Sequence, residues 1–370
     1  MSQQEWPSWL PLRSDLRGLS PYGAPQLPSL AQLNTNENPY PPSKELVAAI
    51  AREVEEVASS LNRYPDRECT ALRTGLANFL NSRSLTHLTE ENVWAANGSN
   101  EIIQSLFLAF GGESAVGFTP SYSMHPLIAQ VTGTAWINGV RNPDFSLDVG
   151  LAIQQIRTTK AKLIFLTTPN NPTGTSIPLR DIETLVVAAA EISGLLVVDE
   201  AYAEFSSELS AVTLVDKYPN LLVIRTMSKA FAFAGARVGY LAANKEVIRA
   251  LQLVRLPYHL SAITQAVALV ALDHSEELLA KVATLIADRE KMVLELKGLG
   301  AEVIPSNANF LLFTVPSSKE IWDSLLDQGV LVRDVGLSGY LRVSIGNAVE
   351  NQRFINSLAI SLGKSQGGNI

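Results

Sequence analysis

The chain has 370 residues, 46% of them hydrophobic and 18% charged, with a net charge of −7 and one cysteine, Cys69. That length holds one large domain and a smaller one, each with its own core, while a single cysteine excludes an intramolecular disulfide framework and the acidic balance excludes a general nucleic-acid surface. The longest apolar stretch, around 266–272, is far short of the ~20 residues that cross a bilayer. No leader-like segment opens the chain, so the expected home is the cytoplasm, without a membrane anchor. The four histidines, His87, His125, His259 and His274, are scattered without pairing on one helix face, and no metal site is expected.

Residues 1–40 are rich in Pro, Trp and Leu with little periodicity, and read as an extended arm that needs something to lie on. From about Leu61, short apolar runs alternate with helical segments, the pattern of a βα-repeating, largely parallel sheet. Strands are predicted at 93–96, 115–118, 163–167, 195–198, 221–225 and 238–242; several are apolar on both faces, as strands covered by helices on each side require. After about Pro257 the pattern becomes helices over 263–272 and 276–299, then strand, helix and strand near 310–315, 321–328 and 341–345. The expected organisation is an arm at 1–40, a large domain at 41–257 and a small α+β domain at 258–370, with 41–60 able to pack on the small domain.

Polar residues stand where these strands end, the place where ligands collect in open α/β sheets. Lys229 lies in Arg225-Thr226-Met227-Ser228-Lys229, just past an apolar strand and before Ala230-Phe231-Ala232-Phe233-Ala234. Most lysines are solvated surface groups, but apolar flanks limit hydration of this amine and lower its pKa, keeping it neutral and nucleophilic as a Schiff-base lysine must be. Asp199 ends the run Leu195-Leu196-Val197-Val198. A carboxylate there needs a partner, either a protonated ring nitrogen or the helix start that it would cap. Tyr202 can offer its phenol to an oxygen on such a ring. Asn171, in Asn170-Asn171-Pro172-Thr173-Gly174, can donate to the same oxygen, or the segment is only a loop. Ser99 and Asn100 follow Gly98 at the start of a predicted helix, whose free N–H groups make a phosphate site or an ordinary capped N-terminus. Thr226, Ser228 and the forked guanidinium of Arg237 would complete the phosphate contacts. Tyr122, after the strand at 115–118, stacks on a flat ring or sits in the core.

In this order, Gly98-Ser99-Asn100, Tyr122, Asn171-Pro172-Thr173-Gly174, Asp199-x-x-Tyr202, Ser228-Lys229 and Arg237 resemble the fold-type I pyridoxal-phosphate enzymes of the aspartate aminotransferase superfamily. Within it, Asn62-Arg63-Tyr64-Pro65-Asp66, Asp199-Glu200-Ala201-Tyr202-Ala203-Glu204-Phe205 and Leu341-Arg342-Val343-Ser344-Ile345-Gly346 are similar to the histidinol-phosphate aminotransferase family, in its actinobacterial form. The likeness runs from about Leu12 to the last helix. It implies an α/β fold with a mostly parallel central sheet in a large domain beside a smaller α+β domain. It also implies pyridoxal 5'-phosphate as cofactor, and glutamate, 2-oxoglutarate and histidinol phosphate as substrates and products. Lys229 then carries the cofactor and shuttles the proton at Cα; Asp199 pairs with the ring nitrogen, Asn171 and Tyr202 hold the 3'-oxygen, and Tyr122 stacks on the ring. Ser99, Asn100, Thr226, Ser228 and Arg237 hold the phosphate, joined by Tyr64 from a neighbouring subunit, which implies a homodimer with shared sites. Arg342 takes the substrate carboxylate, with Tyr22, Asn36 and Arg333 nearby; histidinol phosphate has no carboxylate, so one anion pocket must also accept its phosphate. Ser99-Asn100 departs from enteric-type members, which carry a small residue and Asp. An aromatic-amino-acid aminotransferase, or a decarboxylase or lyase acting on a phosphorylated amino acid, would share the same core residues.

Overall fold

The structure is a computed structural model and describes residues 6–21 and 23–364. The arm ends in a two-residue strand, β1 (Ala31–Gln32), followed by helices α1 (Lys44–Ala58) and α2 (Thr70–Ser84). Strands and helices then alternate through β2 (Val93–Ala96), α3 (Ser99–Phe110), β3 (Ser114–Thr119), α4 (Met124–Thr132), β4 (Ala135–Val140) and α5 (Val149–Thr159). Next come β5 (Leu163–Thr167), α6 (Leu179–Glu191), β6 (Leu195–Asp199), β7 (Leu221–Thr226) and β8 (Gly239–Ala243). Helices α7 (Lys245–Val254), α8 (Ala262–Asp273) and α9 (Ser275–Gly298) lead to β9 (Phe310–Thr314), α10 (Ser318–Asp327), β10 (Val330–Leu331), β11 (Tyr340–Ser344) and α11 (Ala348–Ser361).

Seven strands form the central sheet in the order β2-β8-β7-β6-β5-β3-β4, parallel throughout except for β8, which runs antiparallel to both neighbours. The largely parallel sheet expected from the apolar runs is therefore present. Its middle strands are buried on both faces. Val198 and Val223 pack with Leu72 and Leu76 on one side, while Val197, Leu222 and Ile224 pack with Ile102 and Leu106 on the other. Burying each such side chain contributes about 1.5–3 kcal/mol, so continuous Val, Leu and Ile runs are what a doubly covered strand selects. Strand β4 is absent from the strands read out of the sequence. It is the sheet edge, mostly open to solvent, and Asn138-Gly139 interrupts its apolar pattern.

Beyond the sheet, β9 pairs antiparallel with β11 and β1 pairs parallel with β10, so the end of the arm is built into the C-terminal part of the chain. Phe310, Phe313, Phe354 and Leu285 form the core there, and Tyr202, Phe205 and Ala230 from the large sheet's loops pack into it. Helix α8 contributes Ala268 and Ala271 to the same core as Leu46 of α1. Farther back, the arm lies on α4: Arg13 Nη1 donates to the Val131 carbonyl (2.9 Å) and Gln130 Nε2 to the Asp15 carbonyl (3.2 Å). The two cores meet along a seam where Asn307 N–H bonds the Gly174 carbonyl (2.8 Å), while Ser344 N–H ties the arm to β11 through the Leu33 carbonyl (2.9 Å). Among the described residues no helix is long and apolar enough to cross a membrane.

Candidate active site

A cavity of about 650 Å³ opens at this seam, over the C-terminal ends of the parallel strands. Ser99, Asn100, Tyr122, Asn171, Asp199, Tyr202, Thr226, Ser228, Lys229 and Arg237 line it, as do Asn36, Arg333 and Arg342. Residues spread over more than 300 positions thus converge, because the parallel strands end at one rim, antiparallel β8 begins there, and the arm and the β9–β11 pair close over it. One expected member stands apart, and another is not described. Tyr64 is 79% exposed and stacks on Tyr258 (ring centroids 4.3 Å apart) outside the cavity, and Tyr22 lies outside the described residues.

Lys229 Nζ donates to the Thr35 carbonyl at 2.8 Å and has no carboxylate within ion-pair distance among the described residues. Burial and the nearby guanidinium of Arg342 pull its pKa down to about 8 from the usual 10.5, with Arg237 adding to the effect and Glu37 opposing it. Asp199 is 2% exposed. Its Oδ2 lies 3.1 Å from Nε2 of His125 and its Oδ1 accepts the Ala201 N–H at 3.2 Å. The Tyr202 hydroxyl accepts from Asn36 Nδ2 (3.0 Å) and Asn171 Nδ2 (3.4 Å). Asn36, expected at the substrate, is thus also a support for Tyr202, and Ser344 Oγ holds it in turn through its Oδ1 at 2.9 Å.

At the other end of the cavity, α3 begins at Gly98 with no side-chain cap, leaving its first-turn N–H groups to other partners. Gly98 has φ +87°, and a Cβ there would stand 2.5 Å from Arg237 Nη2; a Cβ on Gly239 would stand 2.4 Å from the Ser99 nitrogen. Two glycines therefore let a helix N-terminus and a guanidinium close on one small volume, a cradle that suits a phosphate. Thr226 Oγ1 bonds Ser228 Oγ at 3.0 Å beside it, and the Tyr122 hydroxyl donates to Asn100 Oδ1 at 3.1 Å. Arg333 and Arg342 exchange backbone hydrogen bonds, both 2.9 Å, so the two side chains leave the same face of one strand pair. Like charges so placed repel, and they favour an anion between them. Arg342 Nη1 also donates to Asn171 Oδ1 (2.5 Å) and Nη2 to the Asn34 carbonyl (2.7 Å).

The donor set fits pyridoxal 5'-phosphate: a neutralisable amine, a buried carboxylate, hydroxyl and amide groups between them, and an anion cradle at one end. His125 and the Thr35 carbonyl are the parts that residue-by-residue reading missed. In the sequence His125 stands as one of four scattered histidines; its visible signal is its place three residues after Tyr122, close behind a strand end.

The chain matches the family Aminotransferase class I and II over residues 28–358. It is 55% identical over 354 residues to a histidinol-phosphate aminotransferase of Mycobacterium sp. (strain JLS), covering 95% of this chain and 93% of that one. To the enzyme of the same name from Thermobifida fusca (strain YX) it is 54% identical over 361 residues, covering 96% of each. The structure also superposes, with a TM-score of 0.80 at 23% identity over 91% of this chain and 92% of the other, on the histidinol-phosphate aminotransferase of Sinorhizobium meliloti solved with pyridoxal-5'-phosphate; that likeness is one of fold. The chain belongs to the class I and II aminotransferases and, within them, to the histidinol-phosphate aminotransferases.

Proposed function

We propose that this chain exchanges an amino group between L-glutamate and imidazole-acetol phosphate, giving 2-oxoglutarate and L-histidinol phosphate, a step of histidine biosynthesis. The observation that carries the reading is the Lys229 amine, without a carboxylate partner among the described residues, in one cavity with Asp199, Tyr202 and a pair of arginines. Pyridoxal 5'-phosphate is the cofactor, and when bound it supplies a protonated ring that accepts the electron pair left as the substrate Cα–H bond breaks. Lys229 Nζ carries it and moves the proton at Cα, a task for which an amine pKa near 8 is well matched. Asp199 keeps the proton on the ring nitrogen, and His125 fixes the orientation of that carboxylate. Asn171 and Tyr202 hold the 3'-oxygen, Tyr122 covers the ring, and Ser99, Asn100, Thr226, Ser228 and Arg237 hold the phosphate. Arg342 and Arg333, with Asn36 at the same pocket, receive the glutamate carboxylate and the phosphate of the other substrate in turn.

Tyr64 is assigned to the phosphate site of a second copy, in a homodimer. Its exposed ring, stacked on Tyr258 near the exposed Leu253 and Leu256, suits an interface better than solvent. The compartment assigned is the cytoplasm, in keeping with the free, buried Cys69. The test is an absorption spectrum of the purified holoenzyme, followed by glutamate and then imidazole-acetol phosphate. The visible band should fall with the first and return with the second, and preferential return with phenylpyruvate would transfer the assignment to aromatic amino acids. For the dimer, mixing inactive Lys229→Ala and Tyr64→Ala chains should restore part of the activity; no recovery in mixed dimers would remove the shared site.

A further inference from the structure

Side chains alternate across a sheet, so residues adjacent to cavity-lining ones face away from it. Asp199 ends β6 and Thr226 ends β7, and both line the cavity. Their neighbours Glu200 and Arg225 meet on the far face, where Arg225 Nη1 donates to Glu200 Oε2 at 3.2 Å. The same guanidinium reaches Glu204 with Nη2, at 2.5 Å from Oε1. All three side chains are buried, at 7%, 3% and 8% exposure. Glu200 is held further by the Ser210 hydroxyl and the Ala211 N–H, each at 2.6 Å. Past the bond from Glu200 N–H to the Ile224 carbonyl (2.9 Å), no backbone hydrogen bond joins these two segments among the described residues. Beyond the ladder that pairs Asp199 with Ile224 and the apolar core shared by Tyr202, Phe205 and Ala230, the segment that carries Tyr202 is fastened to the one that carries Thr226, Ser228 and Lys229 by this side-chain fork.

We propose that Arg225 is a positioning residue whose fork, closed on Glu200 and Glu204, sets the spacing between the Asp199 carboxylate and the Lys229 amine that the cofactor ring must bridge. The inference rests on the cofactor assignment made above. Burying three ionisable groups is costly before they pair, and apolar packing would fasten two loops at less expense. What a planar fork adds is direction: it fixes two carboxylates at once, one residue after Asp199 and two after Tyr202, where a lysine's single point charge cannot.

The test compares wild-type, Arg225→Lys and Glu204→Gln holoenzymes. The readouts are the pH titration and circular dichroism of the visible cofactor band, together with kcat and KM for glutamate. The charges that face the Lys229 amine, Arg342, Arg237 and Glu37, are untouched by either change; Tyr240 is the other titratable group packed on the far-face cluster. Arg225→Lys should shift the titration midpoint, weaken the circular dichroism and lower kcat at least about tenfold, with KM within about twofold. Unchanged titration, dichroism and kcat in Arg225→Lys would overturn the proposal. Should that variant not fold, Glu204→Gln, which keeps an acceptor and removes one charge, decides by the same readouts: a shifted midpoint supports the clamp, and wild-type behaviour overturns it. A wild-type protein that gains no visible band with pyridoxal phosphate would fail the cofactor assignment instead, so the two failures are distinct.

Discussion

The two faces of the sheet where β6 and β7 end handle a buried cation in opposite ways. On the cavity face Lys229 has a carbonyl for company and no carboxylate within ion-pair distance among the described residues, and its pKa drops to about 8. On the far face, four residues earlier, burial also opposes the charge on Arg225, but the carboxylates of Glu204 and Glu200 more than offset it and hold the guanidinium charged. Burial is common to both; the difference is the counter-charge. A cation denied one gives up its proton at a lower pH and so becomes a nucleophile more readily, whereas a cation given two becomes a fastening. One short segment thus supplies chemistry on one side and rigidity on the other.

The comparison breaks most completely if the cavity-side cation is dispensable. Lys229→Ala should reduce turnover to background and remove the visible band of the lysine-bound cofactor, although the phosphate cradle at Gly98 and Arg237 remains to bind it. Retention of that band in the variant would sink the assignment of Lys229. The far-face change Arg225→Lys is expected to cost far less, because a misplaced site still holds every reacting group.

The contrast also marks how much was legible in the amino-acid order. Strands such as Leu163–Thr167 and Leu195–Asp199 announce themselves because both faces are covered, and the polar residue that ends each run is a site residue for the same topological reason. Lys229, Asp199 and Arg237 could be read that way, each from its neighbours along the chain. His125 could not, since its meaning depends on α4 bringing it within 3.1 Å of a residue 74 positions later. The Arg225 fork is similarly silent: an Arg inside an apolar strand says that it needs partners, but Glu200 and Glu204 become those partners only through strand register and the turn after Tyr202. Pairing across a sheet is a long-range property, and local pattern carries little of it.

A finer test concerns what the cavity-side amine costs the fold. Lysine in the unfolded chain titrates near 10.5 and Lys229 near 8 in the folded one, so between those values the unfolded state binds the extra proton. Stability should therefore rise with pH from 8 to 10.5, and at pH 7 the penalty is present in full. Because water enters the open cavity, the penalty is set at on the order of 2–3 kcal/mol, below the full value of the shift. Cofactor-free Lys229→Met should be more stable than cofactor-free wild type at pH 7, the gap closing as pH approaches 10.5. Denaturant melts of both proteins at pH 7, 9 and 10.5 measure it, and a gap independent of pH would mean that the amine is not carrying the cost.

The smallest effect sharpens the far face. Tyr240 lies on β8 directly opposite Arg225, fully buried, and its hydroxyl has no hydrogen-bond partner among the described residues. Burial pushes its pKa well up, so the phenol is neutral and lends no charge to the cluster. A buried hydroxyl without a partner is a liability, whereas one that completes an ionic network costs roughly 1–3 kcal/mol to remove. Tyr240→Phe should therefore leave stability within about 1 kcal/mol of wild type, or raise it, and leave kcat unchanged. A loss of 2 kcal/mol or more in denaturant melts, on the order of a networked hydroxyl's contribution, would mean that Tyr240 also holds Arg225, and that the fork on the two carboxylates alone does not set its direction.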